Sequence, residues 1–488
     1  MKNNMPKNLG QGITFDDILL VPNYSEVLPR NAVTKTRLTK NINLYIPFMS
    51  AAMDTVTESK MAIAMAELGG IGIIHKNLSI ADQAHEVELV KRHESGRIID
   101  PITVPITATV GDVFEIQKKR YIGGFPVLDA DGTLVGLVTS RDLRFQKDEK
   151  TLIKDIMTTK LVTGGPKTTV EEANSLFSKY GIEKLPLVDK NNKLVGLITY
   201  RDIAKSKEYP NATKDNLGRL CVGAAVGAGK DVLTQVEALV KSNVDLVCVD
   251  TAHGHSHGVI DAVKRIRKAY PKLDIVAGNV ATGAAALALI KAGANAIKVG
   301  IGPGSICTTR IVSGVGVPQL SAVSSVYEVC KKLDIPVIAD GGIKNSGDVV
   351  KALVFGADVV MGGSMFAGTD EAPGDTISMN DQKFKKYRGM GSLGAMQRGS
   401  KDRYFQEDQY DLTKLVPEGV SGHVSYKGAL SEVLHQFVGG LRAGMGYLGA
   451  ESIPKLRDAS YYTISKAGLD ESHIHDIFMV SPAPNYKK

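Results

Sequence analysis

From residue 46 onward, the hydrophobic positions of this chain follow a repeating pattern. Each repeat is a short apolar segment, then a polar or glycine-rich loop, then a stretch with apolar residues three and four positions apart. Short, nearly continuous apolar runs that alternate with helices are typical of a parallel sheet covered on both faces. Eight segments are predicted to be strands, over residues 47–52, 70–74, 220–225, 245–249, 274–277, 296–299, 336–339 and 358–361.

The stretches between these segments are predicted to be helices, most clearly over residues 231–241, 257–269 and 346–355. Eight strand–helix repeats predict a (β/α)8 TIM barrel, with an open doubly wound sheet as the alternative. The catalytic barrel is expected to comprise residues 1–94 and 209–488. Within it, residues 15–22 are expected to form a short strand and turn that cover one end of the barrel.

A long insertion separates the second and third predicted strands, and it contains an internal repeat. Residues 123–143 align with residues 181–203, and each copy predicts a strand, a turn, a second strand and a helix opened by Thr-x-Arg-Asp. A repeat of this kind indicates a unit that stacks with its copy. We expect an inserted α+β domain over residues 95–208, with halves at about 95–150 and 155–208.

Glycines and polar residues follow the predicted strands, and in a TIM barrel the loops at the carboxyl ends of the strands build the site. Asp340-Gly-Gly342 follows the seventh strand and Gly362-Gly-Ser364 follows the eighth, where backbone N–H groups commonly hold a phosphate. The alternative is that these are ordinary tight turns. The strand ends are residues 53–54, 75–76, 227–229, 250–255, 278–279, 300–310, 340–342 and 362–364.

The loop after the sixth strand, residues 300–310, combines three glycines and one proline with Ser305, Cys307, two threonines and an arginine. Glycines let a backbone turn sharply and come close to a ligand. A cysteine beside Lys298 and Arg310 is expected to react as a thiolate. The alternative is that Cys307 is a small buried apolar residue, as free cysteines usually are, but the polar, glycine-rich loop favours a reactive cysteine.

Composition narrows the class of protein. The 488 residues include 59 basic and 52 acidic side chains, a net charge of +7 that is small for this length, so nucleic-acid binding is not indicated. No apolar run reaches the roughly 20 residues of a membrane span, and residues 1–10 lack the apolar core of a signal peptide. We therefore expect no membrane association and a cytoplasmic location.

Four widely spaced cysteines indicate neither a disulfide framework nor a zinc site. Cys221, Cys248 and Cys330 lie in apolar patterns and are expected to be in the core. Residues 471–475 contain a glutamate and two histidines, but their spacing fits no standard zinc motif.

The region from residue 367 to 428 has no sustained periodicity and is rich in glycine and charged residues. Loops of this length inside a compact domain are usually functional or disordered. Aromatic and glycine clusters at residues 387–394, 402–406 and 416–420 favour a function. We predict a mobile flap over the site at about residues 380–428.

Together these motifs resemble the IMP dehydrogenase family over essentially the whole chain. Residues 302–310 are similar to the catalytic loop that these enzymes share with GMP reductases. The internal repeat resembles a tandem pair of cystathionine-β-synthase-type (CBS) modules. The resemblance implies NAD-dependent oxidation of IMP to XMP in guanine nucleotide synthesis, with the inserted pair as a regulatory domain.

The resemblance also implies catalytic roles. Cys307 adds to C2 of the purine to form a thioimidate, which water then hydrolyses. Arg403 and Tyr404 of the flap activate that water with help from Thr309, and Glu418 relays protons or contacts the purine. Arginine normally stays protonated in proteins, so its role as a base comes from the resemblance alone.

Ligand-binding residues follow from the same resemblance. The phosphate, the ribose (at Asp340) and the base edge of IMP are expected at Ser305, Asp340, Gly341, Gly342, Gly363, Ser364, Tyr387, Gly389, Met390 and Gly391. There is no Rossmann fingerprint, which would place G-x-G-x-x-G directly after a predicted strand, so NAD is expected to cross the barrel mouth. The implied NAD residues are Asp250, Ser256, Asn279, Gly300, Gly302 and, from a neighbouring subunit, Tyr447.

The resemblance also implies a monovalent cation, K⁺, and carbonyl oxygens suit such a large hard cation. Its expected ligands are Gly302, Gly304 and Cys307, with Glu471, Ser472 and His473 of an adjacent subunit. This predicts a homotetramer, with an octamer as the alternative. Asp142 and Asp202 are expected to contact the ribose of ATP or GTP bound to the CBS modules; alternatively, both aspartates stabilise their helix N-termini.

Two other functions compete with this prediction. GMP reductase, which uses NADPH, shares the barrel and the cysteine loop, but typically lacks the inserted pair and the Arg–Tyr pair. A non-enzymatic nucleotide sensor would keep the fold without the chemistry. The repeat and Arg403-Tyr404 favour the dehydrogenase, and the intact Cys307 and Thr309 argue against a sensor.

Overall fold

The computed structural model describes residues 7–93, 98, 101–120, 122–404, 406, 409, 411–477, 479–480 and 483–486. The chain divides into two compact units. The first, the barrel unit, comprises residues 1–91, 211–215 and 220–488. The second, the inserted unit, comprises residues 92–210 and 216–219.

Eight parallel strands close into a barrel in the barrel unit, each paired with its neighbours in chain order and the last paired with the first. All eight predicted segments form these strands, so the barrel is confirmed and the open sheet is excluded. The strands are β1 (Phe48–Ser50), β2 (Ile71–Ile74), β3 (Val222–Val226), β4 (Leu246–Asp250), β5 (Asp274–Val280), β6 (Ala296–Val299), β7 (Val337–Asp340) and β8 (Val359–Gly362).

Burial explains why these strands read as continuous apolar runs. Every residue of the eight strands is buried except Asp340, the last residue of β7. Side chains fill the barrel interior as well as the space beneath the helices, so both faces must be apolar. Full burial of a side chain such as Phe48 contributes roughly 1.5 to 3 kcal/mol. Asp340 is the exception because it lies at the barrel mouth, where the site is built.

A helix follows each strand and covers the outside of the barrel. The three clearest predictions are confirmed to within one residue at either end. In order after β1 to β8, these helices are Ser59–Glu67, Ile80–Arg92, Val232–Lys241, His257–Ala269, Gly283–Ala292, Gln319–Cys330, Ser346–Val354 and Leu430–Leu448. Shorter α-helices of this unit are Thr309–Ser313, Leu393–Met396 and Lys466–Glu471. Its 3₁₀ turns are Phe15–Asp17, Pro29–Asn31, Lys331–Leu333, Ser400–Tyr404, Leu412–Lys414 and Ile453–Asp458.

Two small antiparallel strand pairs lie outside the barrel sheet. Ile18–Leu20, within the strand predicted near the N-terminus, pairs with Tyr461–Thr463. Thr36–Arg37 pairs with Asn43–Leu44 just before β1.

The region from residue 367 to 428, which includes the predicted flap, contains more regular structure than its sequence indicates. Thr376–Met379, Gln382–Arg388 and Ser421–Ser425 form a three-stranded antiparallel sheet. The prediction of an irregular segment is therefore wrong for these residues. All four residues of Thr376–Met379 are exposed, so no apolar face imposes an alternating pattern on that strand.

The inserted unit consists of two halves with similar elements. Each half has a strand pair followed by a helix, and each packs its own apolar cluster, around Phe125 in the first half and Phe177 in the second. The strands are Val104–Pro105, Gly124–Leu128, Leu134–Thr139, Lys184–Val188 and Leu194–Thr199. The helices are Val110–Arg120, Ser140–Leu143, Val170–Tyr180 and Tyr200–Glu208, with a 3₁₀ turn at Ile153–Asp155.

Across the described parts of both units, no helix is long and apolar enough to cross a membrane.

Candidate active site

Cys307 lies at the mouth of the barrel, in the loop between β6 and the short helix Thr309–Ser313. Gly300 and Gly302 turn this loop with φ angles of +151° and +75°, a region that glycine adopts without a steric penalty. The Cys307 Sγ lies 3.2 Å from the Thr309 hydroxyl oxygen. The Cys307 thiol and a hydroxyl group are thus held together by one short loop.

The remaining cysteines are buried in the core, as predicted: Cys221, Cys248 and Cys330 are at most 3% exposed, whereas Cys307 is partly exposed. Burial raises the pKa of Cys248 and raises that of Cys330 to about 12. Both thiols stay protonated near neutral pH and are inert. The chemically accessible cysteine is Cys307.

The two cations expected beside Cys307 have other partners. The Lys298 ammonium donates to Asp250 Oδ1 at 2.7 Å and to Asp340 Oδ2 at 2.9 Å. The Arg310 guanidinium donates to the carbonyl oxygens of Ile301 at 3.0 Å and Val317 at 2.6 Å. Lys298 therefore builds a buried charge network, and Arg310, whose charge interacts with Cys307, also braces the loop.

That buried network lies across the ends of β4, β5, β6 and β7. Asn279 donates from Nδ2 to Asp340 Oδ2 and to the Gly300 carbonyl, both at 2.8 Å, and its Oδ1 accepts from Lys298. Lys298 is 1% exposed, so its charge is compensated by Asp250 and Asp340 and not by water. The network fixes four strand ends relative to one another.

One segment of the predicted flap pairs with the cysteine loop, and a second flap segment pairs with the first. Val420 N–H donates to the Ile306 carbonyl, and Thr308 N–H donates to the Glu418 carbonyl, each at 3.0 Å. On the other side, Glu418 N–H donates to the Gly391 carbonyl at 3.0 Å. Backbone hydrogen bonds therefore join residues 389–391, 418–420 and 306–308 into one layer at the barrel mouth.

Arg403 and Tyr404, from the 3₁₀ turn Ser400–Tyr404, also reach the barrel mouth. Arg403 forms an ion pair with Asp250, and its carbonyl accepts from Ala252 N–H at 3.1 Å. The Tyr404 ring packs on Gly391, where an added Cβ would lie 2.7 Å from Cζ. Burial raises the pKa of Tyr404 although Arg403 opposes the shift, so the phenol stays protonated near neutral pH.

The ends of β7 and β8 form a glycine-rich wall. Gly341 and Gly342 have φ angles of +89° and +83°. Burial raises the pKa of the Tyr387 hydroxyl, with Ser305 and the Ser364 backbone opposing the shift, and the hydroxyl lies 3.8 Å from Met53 Sδ. A Cβ on Gly363 would lie 2.6 Å from that hydroxyl oxygen, so the close approach of Tyr387 requires glycine there.

One cavity brings most of the predicted residues together. It is lined by Asp250, Asn279, Gly300, Gly302, Gly304, Ser305, Cys307, Thr309, Asp340, Gly341, Gly342, Gly363, Ser364, Tyr387, Gly389, Met390, Arg403, Tyr404 and Glu418. Carboxylate, amide, thiol, phenol and guanidinium groups from five barrel strands and the flap thus converge on one space.

Other predicted residues lie elsewhere. Gly391 is beneath Tyr404, and the buried Ser256 hydroxyl has no hydrogen-bond partner among the described residues. Tyr447 is 72% exposed on the helix Leu430–Leu448. Glu471 is the last residue of the helix Lys466–Glu471, and Ser472 and His473 follow it.

In the inserted unit, Asp142 accepts hydrogen bonds from the Thr139 backbone N–H at 2.8 Å and hydroxyl at 2.7 Å. These contacts make it part of a capping box at the start of its helix. Asp202 lies in the helix Tyr200–Glu208, but its side chain is outside the described residues.

Sequence reasoning missed two supports of the site. Gln319 donates from Nε2 to the Val299 and Asp340 carbonyls, at 2.9 and 3.1 Å, and so ties β6 to β7. Arg388 forms a buried ion pair with Asp54, which fastens a strand of the flap sheet to the loop after β1. Asp54 does follow a predicted strand, but nothing in the sequence identifies a partner more than 300 residues away.

Comparisons with known proteins agree with this geometry. The family model described as "IMP dehydrogenase / GMP reductase domain" matches residues 12–475. Inosine-5'-monophosphate dehydrogenase of Aquifex aeolicus is 55% identical over 485 residues, 98% of each chain. The enzyme of the same name from Bacillus subtilis is 53% identical over 480 residues, again 98% of each chain.

A solved structure of GMP reductase from Trypanosoma brucei, a cysteine-to-alanine variant in complex with guanosine 5'-monophosphate, is 40% identical. Its TM-score is 0.88, and the match covers 96% of this chain and 99% of the reductase chain. Because a match of that extent includes residues of the inserted unit, the insertion alone does not exclude a reductase. Both of these curated relatives are IMP dehydrogenases, and the chain belongs to the IMP dehydrogenase / GMP reductase family.

Proposed function

We propose that the protein oxidises IMP to XMP with NAD⁺ as the hydride acceptor and water as the oxygen donor. IMP, NAD⁺ and water give XMP, NADH and a proton. One observation carries the proposal: Cys307, 3.2 Å from Thr309, lines the same cavity as Arg403 and Tyr404. A nucleophile and a group that can activate water therefore face one ligand space.

In the first step, the Cys307 thiolate attacks C2 of the hypoxanthine ring. A C–S bond forms, the C2–H bond breaks, and hydride leaves with both electrons. The product is a thioimidate bound to the enzyme, so one difficult oxidation is divided into two easier steps. The partly exposed Cys307 at the cavity wall is the thiol available for this attack.

In the second step, water adds to C2 and the C–S bond breaks, which releases XMP and restores the thiol. We assign the activation of this water to Arg403 and Tyr404, with Thr309 assisting. Arg403 Nε is buried without a hydrogen-bond partner in the described structure, and Nη1 contacts Asp250 without hydrogen-bond geometry. Such buried N–H groups are costly unless a water or ligand satisfies them.

IMP is proposed to bind with its phosphate on the glycine-rich wall, its ribose at Asp340 and its base edge at residues 389–391. The positive φ angles of Gly341 and Gly342 support the phosphate site, because such turns expose backbone N–H groups to an anion. The residues assigned to the phosphate are Ser305, Gly341, Gly342, Gly363, Ser364 and Tyr387, and those assigned to the base edge are Gly389, Met390, Gly391 and Glu418.

NAD⁺, when bound, supplies the hydride acceptor. The residues at the barrel mouth fit this group, since the unpartnered Ser256 hydroxyl and the polar pair Asp250 and Asn279 lie at the ends of neighbouring strands. Asp250, Ser256, Asn279, Gly300 and Gly302 would hold it. Tyr447 of a second subunit is proposed to meet the adenine, and its exposed ring supports that role.

A K⁺ site at the cysteine loop fits the chemistry of its donors, which are carbonyl oxygens on a tightly turned segment. Gly302, Gly304 and Cys307 would hold the ion from this subunit. Gly304 O already accepts from Cys307 N–H at 3.0 Å, and a carbonyl has a second lone pair for a cation. The ligands from an adjacent subunit would be Glu471, Ser472 and His473.

That shared K⁺ site supports a homotetramer, with an octamer as the alternative. ATP or GTP binding at the inserted unit and a cytoplasmic location belong to the same proposal. Replacing K⁺ with Li⁺ in the assay buffer tests the cation directly, and we expect slower turnover that returns when K⁺ is restored.

The test of the activity is the absorbance of NADH after the protein is mixed with IMP and NAD⁺ in a K⁺ buffer. NADH that appears only when IMP is present supports the dehydrogenase. The end-to-end match to a GMP reductase makes the reductase the second candidate. A parallel assay with GMP and NADPH measures it, and NADPH consumption without IMP oxidation would overturn the dehydrogenase.

A further inference from the structure

Lys76 and Asp402 form an ion pair close to the active site. Lys76 follows β2, and its ammonium contacts both carboxylate oxygens of Asp402. The Lys76 side chain is 5% exposed and that of Asp402 is 30% exposed. Asp402 precedes Arg403 directly in the 3₁₀ turn Ser400–Tyr404. The turn that carries the proposed water-activating pair is therefore fastened to the barrel through its neighbouring residue.

The barrel provides space for this pair at Gly227, the residue after β3. An added Cβ there would lie 2.3 Å from Asp402 Oδ2 and 3.2 Å from the Lys76 ammonium nitrogen. Gly227 does not have a left-handed φ angle, so its backbone would accept alanine. Glycine is thus required at this position for contact with Asp402 and not for the turn.

The pair is energetically significant because one partner is buried. Burial lowers the pKa of Lys76, and the charge of Asp402 opposes that shift. Removing one member of such a pair leaves the other charge poorly compensated. A second attachment, between Arg403 and Asp250, holds the same turn from β4.

We propose that Lys76 is a positioning residue for hydrolysis: by binding Asp402, it holds the Ser400–Tyr404 turn so that Arg403 and Tyr404 face Cys307. The inference rests on the proposed function. Hydride transfer requires Cys307 and the nicotinamide, whereas hydrolysis also requires this turn. Loss of Lys76 therefore slows the second step selectively.

The experiment is stopped-flow measurement of NADH formation by the full-length protein with IMP and NAD⁺. For Lys76→Met we expect a first-turnover burst of NADH with unchanged amplitude. The steady-state rate should fall by about 10- to 100-fold, the scale of a catalytic group displaced by about 1 Å. The matched control is Lys241→Met, which removes an exposed lysine paired with Glu237 and should change neither phase.

Gly227→Ala tests the same proposal with both charges still present. Its Cβ displaces Asp402, so it should reproduce the selective loss of steady-state turnover. Gly258→Ala is the control, because a Cβ there meets no atom within 4 Å. Faster tryptic cleavage after Arg403 in the Lys76→Met and Gly227→Ala proteins should accompany the kinetic change. The double variant of Lys76→Met with Asp402→Asn should be no slower than Lys76→Met alone.

Two results would overturn the proposal: a burst and a steady-state rate that fall together in Lys76→Met, or a steady-state rate that stays at the wild-type value. Failure of the proposed function looks different, because the wild-type protein would then produce no NADH from IMP. The wild-type trace therefore distinguishes the two failures.

Discussion

Two aspartates at strand ends show how the barrel unit differs from the inserted unit. Asp250 ends β4, is 5% exposed, and contacts Lys298 on β6 and Arg403 in the flap. Asp142 follows the strand Leu134–Thr139 and accepts hydrogen bonds from Thr139, three residues earlier. One carboxylate joins elements that are distant in sequence, and the other begins its own helix.

The difference shows when a polar sequence motif forms part of a binding or catalytic site. Parallel strands in a closed barrel bring their carboxyl ends together, so polar residues there find one another regardless of sequence distance. A capping aspartate is satisfied locally, and its presence in a motif does not by itself indicate a ligand. The predictions below test this contrast, beginning with the largest expected effect.

Cys307→Ala removes the proposed nucleophile. Turnover should fall by at least about 10⁴-fold, as when other enzymes lose a catalytic nucleophile, while calorimetry still detects IMP binding. Iodoacetamide should label Cys307 in the wild-type protein before any of the three buried cysteines. Turnover at the wild-type rate in the alanine variant would exclude covalent catalysis.

Lys298→Met leaves the buried carboxylate of Asp250 and the partly buried carboxylate of Asp340 without their shared cation. Breaking a buried pair in this way costs about 3 to 5 kcal/mol, so the free energy of unfolding should fall by that amount in urea. Lys466→Met is the control, because its ion pair with Asp470 is exposed, and it should leave the midpoint unchanged. Equal effects of the two variants would contradict the role given to the network.

The Asp54–Arg388 pair makes the free energy of unfolding depend on pH. Burial acts to raise the pKa of Asp54, but hydrogen bonds from Arg388 and Asn77 outweigh burial. The pKa of Asp54 therefore lies below its ordinary value. A lowered folded pKa contributes stability above the unfolded pKa, and that stability is lost as the pH falls through the folded pKa.

Asp54→Asn should therefore reduce the free energy of unfolding near neutral pH by about 1 to 3 kcal/mol. The difference from the wild-type protein should shrink as the pH falls below about 4. Urea unfolding across this range measures both quantities. A difference that grows with acidity would show that Asp54 is not stabilised as an anion.

Asp142→Ala should have the smallest effect. Loss of the capping box costs about 1 kcal/mol, which hydrogen exchange should detect as faster exchange in the helix Ser140–Leu143. Turnover of IMP should not change. If the affinity for ATP or GTP falls while hydrogen exchange stays the same, the Asp142 carboxylate binds the nucleotide. Asp142 would then be a site residue like Asp250, which contradicts the contrast drawn above.

The sequence was sufficient to predict the barrel, because burial on both faces leaves a clear signal in each strand. It also predicted the strand-end residues, since barrel topology alone brings Asp250, Asn279 and Asp340 together. The sheet in the flap was missed for the opposite reason. Its two outer strands are largely exposed, so no alternating pattern marks them.

Pairings between charged side chains were not predictable. Lys298 lies two residues before the glycine-rich loop, but nothing in the sequence indicates that its ammonium pairs with Asp250 and Asp340. Lys76 and Asp402 are separated by 326 residues, and neither pattern nor spacing links them. Side-chain direction at the barrel mouth decides these contacts, and it depends on the packed structure.

The most direct test of the central claim is mass spectrometry of the protein quenched with acid during turnover of IMP and NAD⁺. The account predicts a purine nucleotide adduct on the peptide that contains Cys307, formed together with the first equivalent of NADH and absent without NAD⁺. NADH that accumulates while Cys307 stays unmodified would contradict it.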